Sequence, residues 1–231
     1  MAKSKSGADD KNAHIEKVRV KSRAYGTHFR AKRGTYKKAK LNAACKKQSK
    51  QLISANRPSK ILKDAIAPYR DGLEGGPMWS NLLSMFNKQV DEYGAFDFGK
   101  VEPFEVHPAH PLGRFLTAST DVRANNAKSE LEVSISYGSH PWFPKSPYID
   151  GYKVTVIGIF PDLKKNTART VAMESEIMGL KGKAAPLKVQ LAIPKKATTF
   201  LICIKMEGCS EGEVNDTPAT MGMRMVRAGM I

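Results

Sequence analysis

The chain lacks the features by which membrane and secreted proteins are most easily recognised. No apolar run approaches the roughly 18–20 residues that a membrane-spanning helix needs. The first residues, MAKSKSGADDKN, are polar and charged with no apolar stretch behind them, so a secretory signal is not expected. The mean hydropathy of −0.40 is typical of a soluble chain. We therefore expect a cytoplasmic protein without a membrane span.

Cysteine is also scarce, with three residues in a chain of 231. Cys203 and Cys209 are six positions apart, a spacing that matches neither a zinc motif nor a redox motif, and Cys45 stands alone. The odd number and low density make a disulfide framework improbable. Cys203 lies in the most apolar stretch of the chain, where an unpaired cysteine packs as a small hydrophobic residue. We expect reduced thiols, with Cys203 in the core.

The sequence contains none of the common catalytic motifs GxSxG, HExxH and GxGxxG. The glycine cluster at residues 72–76 has no Walker lysine, and Glu74 would repel phosphate, so we interpret it as a linker. His107, His110 and His140 stand beside prolines and are candidate ligands only in a weaker alternative, a metal-dependent enzyme. Their simpler interpretation is as turn residues. We predict a non-enzymatic protein without a metal or other cofactor.

What the chain has in excess is positive charge, and nearly all of it lies in the first third. Residues 1–70 contain 20 Lys and Arg against 4 Asp and Glu, which already equals the net charge of +16. The remaining residues carry 18 of each sign. This asymmetry points to a polyanionic partner, first nucleic acid, then an anionic membrane or an acidic protein. A basic tail that only keeps the protein in solution is the simplest alternative.

Residues 21–40, KSRAYGTHFRAKRGTYKKAK, interleave eight cations with three aromatic residues and contain no acid. Cations neutralise phosphates, and aromatic rings stack on exposed bases, so the pattern is typical of a segment that binds RNA or DNA with little sequence preference. In the competing interpretation the aromatic residues anchor the segment on the folded domain and the cations stay in water. The predicted nucleic-acid contacts are Arg23, Tyr25, Phe29, Arg30, Lys32, Arg33, Lys37, Lys38, Lys46 and Lys47.

Three regions follow one another along the chain. Residues 1–34 are expected to form a basic flexible or extended arm, in which Val18 and Val20 alternate with cations as in an edge strand. Residues 35–94 form a helical region, with helices predicted at 35–55, 59–69 and 77–94. The last two, joined by glycines, predict a helical hairpin.

From residue 95 onwards the hydrophobic pattern has the period of two that is typical of strands. Alternating methionines at 221, 223 and 225 fit a last strand with its side chains in the core, or else an adaptable partner-binding edge. About seven strands predict an antiparallel β-sandwich of immunoglobulin-like or related topology over 95–231, with residues 200–204 as its central strand. The predicted strands lie near 113–118, 131–137, 152–160, 171–173, 187–193, 200–204 and 221–225. The fold class is therefore α+β.

The order of a basic arm and a sandwich resembles the layout of many viral coat proteins, whose arms hold the packaged genome. The resemblance is one of layout, and no family is identified from it. We expect a structural or assembly protein that binds nucleic acid and forms a homo-oligomer or binds a partner through the sandwich. The alternative is an immunoglobulin-like protein–protein interaction module whose basic helices dock on an acidic partner.

Overall fold

The computed structural model describes residues 17–22, 26–31, 42–90, 95–101, 103–125, 127, 129–145, 147–182 and 184–231. The chain divides into two compact units, Met1–Lys46 and Lys47–Ile231. Within the described residues the protein has two α-helices and twelve strands in three antiparallel sheets, which confirms the α+β class. No helix in this part of the chain is long and apolar enough to cross a membrane.

The first unit contains a β-hairpin of two six-residue strands, β1 (Lys17–Ser22) and β2 (Gly26–Ala31). They pair antiparallel, with Ser22 opposite Gly26 and Lys17 opposite Ala31. Gly26 has a φ of +61°, a backbone conformation that glycine adopts without steric cost. The strand predicted from Val18 and Val20 is confirmed, whereas its partner strand was not predicted because its residues show no clear alternation.

Helix α1 (Ala43–Ile66) is continuous for 24 residues. The prediction of one helix that ends near residue 55 and a second that begins at residue 59 is wrong, because Pro58 lies inside α1. Proline removes one helical hydrogen bond, but its ring is buried here, and the hydroxyl of Ser59 donates to the carbonyl of Ala55 at 2.7 Å in the same turn. Tertiary packing of the second half of the helix thus overrides the local preference for a break.

Helix α2 (Met78–Gln89) follows α1 after the glycine-rich residues 72–76. The predicted helix reached residue 94, but α2 ends at Gln89, and residues 91–94 lie outside the described part. Leu82 and Phe86 of α2 are fully buried in the same core cluster as the second half of α1. Two amphipathic helices therefore cover one apolar surface.

The C-terminal unit contains ten strands within its described residues. They are β3 (Phe104–Glu105), β4 (Ala118–Asn125), β5 (Glu130–Tyr137), β6 (Gly151–Asp162), β7 (Thr167–Glu174), β8 (Met178–Gly179), β9 (Leu187–Ala192), β10 (Thr199–Ser210), β11 (Glu213–Val214) and β12 (Met221–Met230). The large sheet has the order β3-β12-β10-β6-β7, with β8 on β6 and β11 on β10, and the small sheet has the order β4-β5-β9. The central position predicted for residues 200–204 is confirmed.

The large sheet is covered on both faces. Ile157, Ile159 and Cys203 belong to the core shared with α1 and α2. Their neighbours along the strands, Val156 and Ile202 among them, belong to the core shared with the small sheet. Because successive side chains of a strand point to opposite faces, burial on both sides produces the continuous apolar runs of β6 and β10.

Two details of the predicted β-region need correction. A strand was expected at 113–118, but Leu112–Arg114 forms a short 3-10 helix and β4 begins only at Ala118. Buried Leu112 and Phe115 are three positions apart, a helical spacing. The predicted number of about seven strands is not confirmed, since β3, β8 and β11 have two residues each and leave no alternation to recognise.

Lys205 of the central strand β10 forms an ion pair within that strand and a hydrogen bond to the segment that follows α1. The side chain of Lys205 is 7% exposed, and its Nζ lies 2.7 Å from Oε1 of Glu207, whose side chain is 13% exposed. Lys205 Nζ also donates to the backbone carbonyl of Asp71 at 3.2 Å. Because each charge is removed from water, each depends on the other for compensation.

We predict that Lys205→Met lowers the free energy of unfolding by about 3–5 kcal/mol, because it leaves a buried carboxylate without its partner. The double variant Lys205→Met/Glu207→Leu should recover most of this loss. Urea denaturation measures both values, and Lys50→Met on the exposed part of α1 controls for the chemical change. Equal losses in the single and double variants would contradict the role assigned to the charge pair.

Candidate nucleic-acid interface

The β-hairpin places an aromatic residue beside two cations on one face. Arg19 stands opposite Phe29, and Lys21 stands opposite Thr27. Directly opposed residues of an antiparallel pair, and residues two apart along a strand, share a face of the sheet. Arg19, Lys21, Thr27 and Phe29 therefore form one surface, here named the hairpin face. Phe29 is 68% exposed, and Arg19 and Lys21 are exposed as well.

The opposite face of the hairpin has a different character. Val20 stands opposite His28, and both are half-buried, whereas Val18 is 42% exposed. The smaller apolar side chains thus occupy one face, and Phe29 lies on the other, among cations. An exposed ring flanked by positive charge is the arrangement that sequence-tolerant single-strand binding proteins use for stacking bases.

Lys46 and Lys47 lie near the start of α1, and their side chains are exposed. Asn42 caps this helix, because its side-chain oxygen accepts from the backbone N–H of Cys45 at 2.7 Å. The first turn carries no acidic residue, and residues 43–54 include no buried position. The first half of α1 is consequently a solvent-facing basic helix.

The structure describes the positions of only part of the predicted contact set. Phe29, Arg30, Lys46 and Lys47 lie within the described residues, and Arg30 stands opposite Val18 in the hairpin register. The remaining predicted contacts lie outside the described residues: Arg23, Tyr25, Lys32, Arg33, Lys37 and Lys38.

Arg19 and Lys21 were missed as candidate contacts. Their alternation with Val18 and Val20 was the available signal, because it places the cations together on one face of a strand. What the sequence did not show is the register with β2, which puts Arg19 beside Phe29.

The histidines of the metal-enzyme alternative have two different environments. The ring centroids of His107 and His110 are 4.8 Å apart, whereas Nε2 of His140 lies 2.8 Å from the carbonyl oxygen of Gly182. Burial, followed by the charges of His107 and Arg114, lowers the pKa of His110. Among the residues that the structure describes, no group of three His, Cys, Asp or Glu is placed to hold a metal ion.

The cysteines and the C-terminal methionines serve the core. Cys203 and Cys209 are fully buried, and burial raises the pKa of Cys203 to about 12. Met221, Met223 and Met225 are buried against the helices, which confirms their prediction as core residues. None of the three cysteines forms a disulfide.

The chain matches no protein-family model, no curated protein and no solved structure. Its function must therefore be argued from the chemistry of its own surfaces. The hairpin face and the basic first half of α1 both belong to the charged third of the sequence.

We predict that a thiol reagent at about pH 8 modifies Cys45 quickly in the native protein and all three cysteines only after denaturation. Cys45 is exposed, whereas burial raises the pKa of Cys203 and of Cys209 and also blocks the reagent. Counting modified thiols by mass spectrometry measures the effect. Rapid native labelling of a Cys45→Ser variant would contradict the buried positions of the other two thiols.

Proposed function

We propose that the protein is a non-enzymatic, sequence-tolerant nucleic-acid-binding protein with a structural or assembly role. The observation that carries the proposal is the hairpin face, where exposed Phe29 lies across the strand pair from Arg19 and near Lys21. This face belongs to the part of the chain that holds the entire net charge. Binding would combine stacking on the ring with neutralisation of phosphates.

Each proposed contact residue has a separate physical role. Arg19 and Lys21 would each neutralise a phosphate and release counterions, which makes affinity depend on salt. Phe29 would stack on a base, an interaction that every base can make. Lys46 and Lys47 would add phosphate contacts from α1. Because none of these interactions reads the edge of a base, the proposal predicts little sequence preference.

We further propose that the C-terminal unit is a β-sandwich of immunoglobulin-like or related topology that mediates self-assembly or partner binding. The support is the core shared by the small and large sheets, to which Leu131 and Leu191 contribute from one sheet and Val156 and Ile204 from the other. Two antiparallel sheets that pack through their inner faces are the defining feature of a sandwich.

The alternative partner is an acidic protein, because the same cations would attract carboxylates. Exposed Phe29 favours nucleic acid, since a stacking ring adds nothing specific to binding of a carboxylate-rich chain. Competition between a single-stranded oligonucleotide and polyglutamate separates the two partners.

We predict that Arg19→Ala/Lys21→Ala makes the log–log salt slope of oligonucleotide binding shallower by about 1.4, at about 0.7 per lost phosphate contact. Fluorescence anisotropy with a labelled mixed-sequence single strand, at several salt concentrations, measures the slope. Lys145→Ala/Lys188→Ala removes the same charge from exposed positions of the C-terminal unit and should leave the slope unchanged. An equal change in both double variants would mean that only net charge matters.

We predict that Phe29→Ala weakens oligonucleotide binding by about 1–3 kcal/mol and leaves the salt slope unchanged, because stacking is lost and phosphate contacts remain. Val18→Ala, on the opposite face of the hairpin, is the matched control and should retain wild-type affinity. If polyglutamate displaces the oligonucleotide equally well from Phe29→Ala and Val18→Ala, at a low ratio of glutamate charges to phosphate charges, the acidic partner is favoured instead.

A further inference from the structure

A cleft of about 600 Å³ opens in the C-terminal unit, far along the sequence from the basic third. It lies between the turn that joins β6 to β7, residues 162–166, and the connection from β9 to β10, residues 193–198. Residues 96–98 also line it. Its volume is within the range of about 300–1,000 Å³ that is usual for small-molecule sites.

Five cations line this cleft, although residues 71–231 as a whole have no net charge. All five are exposed, and none forms an ion pair with another residue in the described part of the chain. They are Lys164, Lys165, Arg169, Lys195 and Lys196. An anion bound between them would relieve their mutual repulsion.

The two carboxylates of the cleft are engaged in local turns. Oδ1 of Asp162 accepts from the backbone N–H groups of Lys164 and Lys165, at 3.0 and 3.1 Å. Oδ1 of Asp97 accepts from the backbone N–H of Gly99 at 2.9 Å. With five cations against two carboxylates, the lining of the cleft has a net positive charge, which favours a negatively charged ligand.

The remaining lining comprises three threonines, Thr167, Thr198 and Thr199, and a larger apolar part that includes Leu163 and Ala197 and is partly aromatic. Phe98 and Phe160 are buried there, and half-buried Phe96 packs edge-on against Phe98 with ring centroids 4.7 Å apart. Pro161 and Pro194 complete this lining. A ligand that matches both parts of the cleft carries an anionic group and a flat apolar group.

Both connections that border the cleft are held in specific conformations. Arg57 of α1 donates from Nε to the side-chain oxygen of Asn166 at 3.0 Å and also donates to the backbone carbonyl of Leu163. Lys196 has a φ of +70°, a left-handed conformation that disfavours side chains with a Cβ.

We propose that this cleft binds a nucleoside phosphate. The lysines of the two connections, represented by Lys165 and Lys196, contact the phosphate oxygens, and the half-buried ring of Phe96 contacts the base. Ammonium–phosphate hydrogen bonds supply affinity, and the apolar contact distinguishes a nucleotide from inorganic phosphate. The site is separate in sequence from the hairpin face and requires no residue of it.

Isothermal titration of the full-length chain with ADP, adenosine and pyrophosphate tests the proposal. We expect ADP to bind at least about tenfold more tightly than either fragment, since each part of the ligand contributes at least about 1.4 kcal/mol. Pyrophosphate that binds as tightly as ADP overturns the proposal, because the apolar lining would then contribute nothing. No binding of ADP overturns it as well.

Charge-reversal variants locate the site. Lys165→Glu/Lys196→Glu should weaken ADP binding by at least about tenfold, the loss expected when a charged hydrogen bond is removed. Lys145→Glu/Lys188→Glu makes the same change of charge at exposed positions outside the cleft and should keep wild-type affinity. Equal weakening in both double variants overturns the assignment to the cleft.

Lys196→Gly separates binding from stability. The substitution removes a phosphate contact and also relieves the left-handed backbone, so ADP affinity should fall while the melting temperature stays the same or rises. Unchanged ADP affinity in this variant overturns the role of Lys196. A melting temperature that does not fall shows that loss of ADP binding is not caused by unfolding of the variant.

Two further binding measurements show whether the nucleoside phosphate is free or part of a strand. They also separate the cleft from nucleic-acid binding by the hairpin face. Arg19→Ala/Lys21→Ala should leave ADP affinity unchanged, and a parallel loss overturns the separate site. If Lys165→Glu/Lys196→Glu weakens a single-stranded oligonucleotide as strongly as ADP, the cleft takes a nucleotide of a strand. If it weakens ADP alone, the ligand is a free nucleotide.

Discussion

The burial of strands β6 and β10 on both faces is the constraint on which the rest of the C-terminal unit depends. Their side chains alternate between a core shared with α1 and α2 and a core shared with the small sheet. Since both faces must be removed from water, helices and small sheet have to cover opposite sides. This requirement also explains why Pro58 is accepted inside α1, whose second half must reach across the sheet.

The antiparallel pairing of these two strands also places the cleft at one end of the large sheet. Because β6 and β10 are antiparallel, with Ile159 opposite Leu201, the end of β6 and the beginning of β10 lie at the same end of the sheet. The connections that carry Lys165 and Lys196 are thereby brought to one cleft. Rigid strands hold them there, which suits a binding site better than a mobile loop does.

The two proposed binding surfaces use positive charge in different ways. On the hairpin face the cations flank a ring that is open to solvent, which suits a chain that passes over the surface. In the cleft the cations border a partly open volume with aromatic residues in its wall, which suits a single small ligand. Net charge identifies the first surface but conceals the second, because acidic residues elsewhere in residues 71–231 balance its cations.

The sequence by itself determined the α+β class, the positions of most long strands, the central role of residues 200–204 and the burial of Met221, Met223 and Met225. These follow from local periodicity, which needs no knowledge of partners. Only the tertiary structure decided that Pro58 lies within a helix, that Arg19 stands beside Phe29, and that residues 162–166 and 193–198 border one cleft. Each of these depends on strand register or on packing between distant segments, and such pairing leaves no periodic trace in the residues that take part.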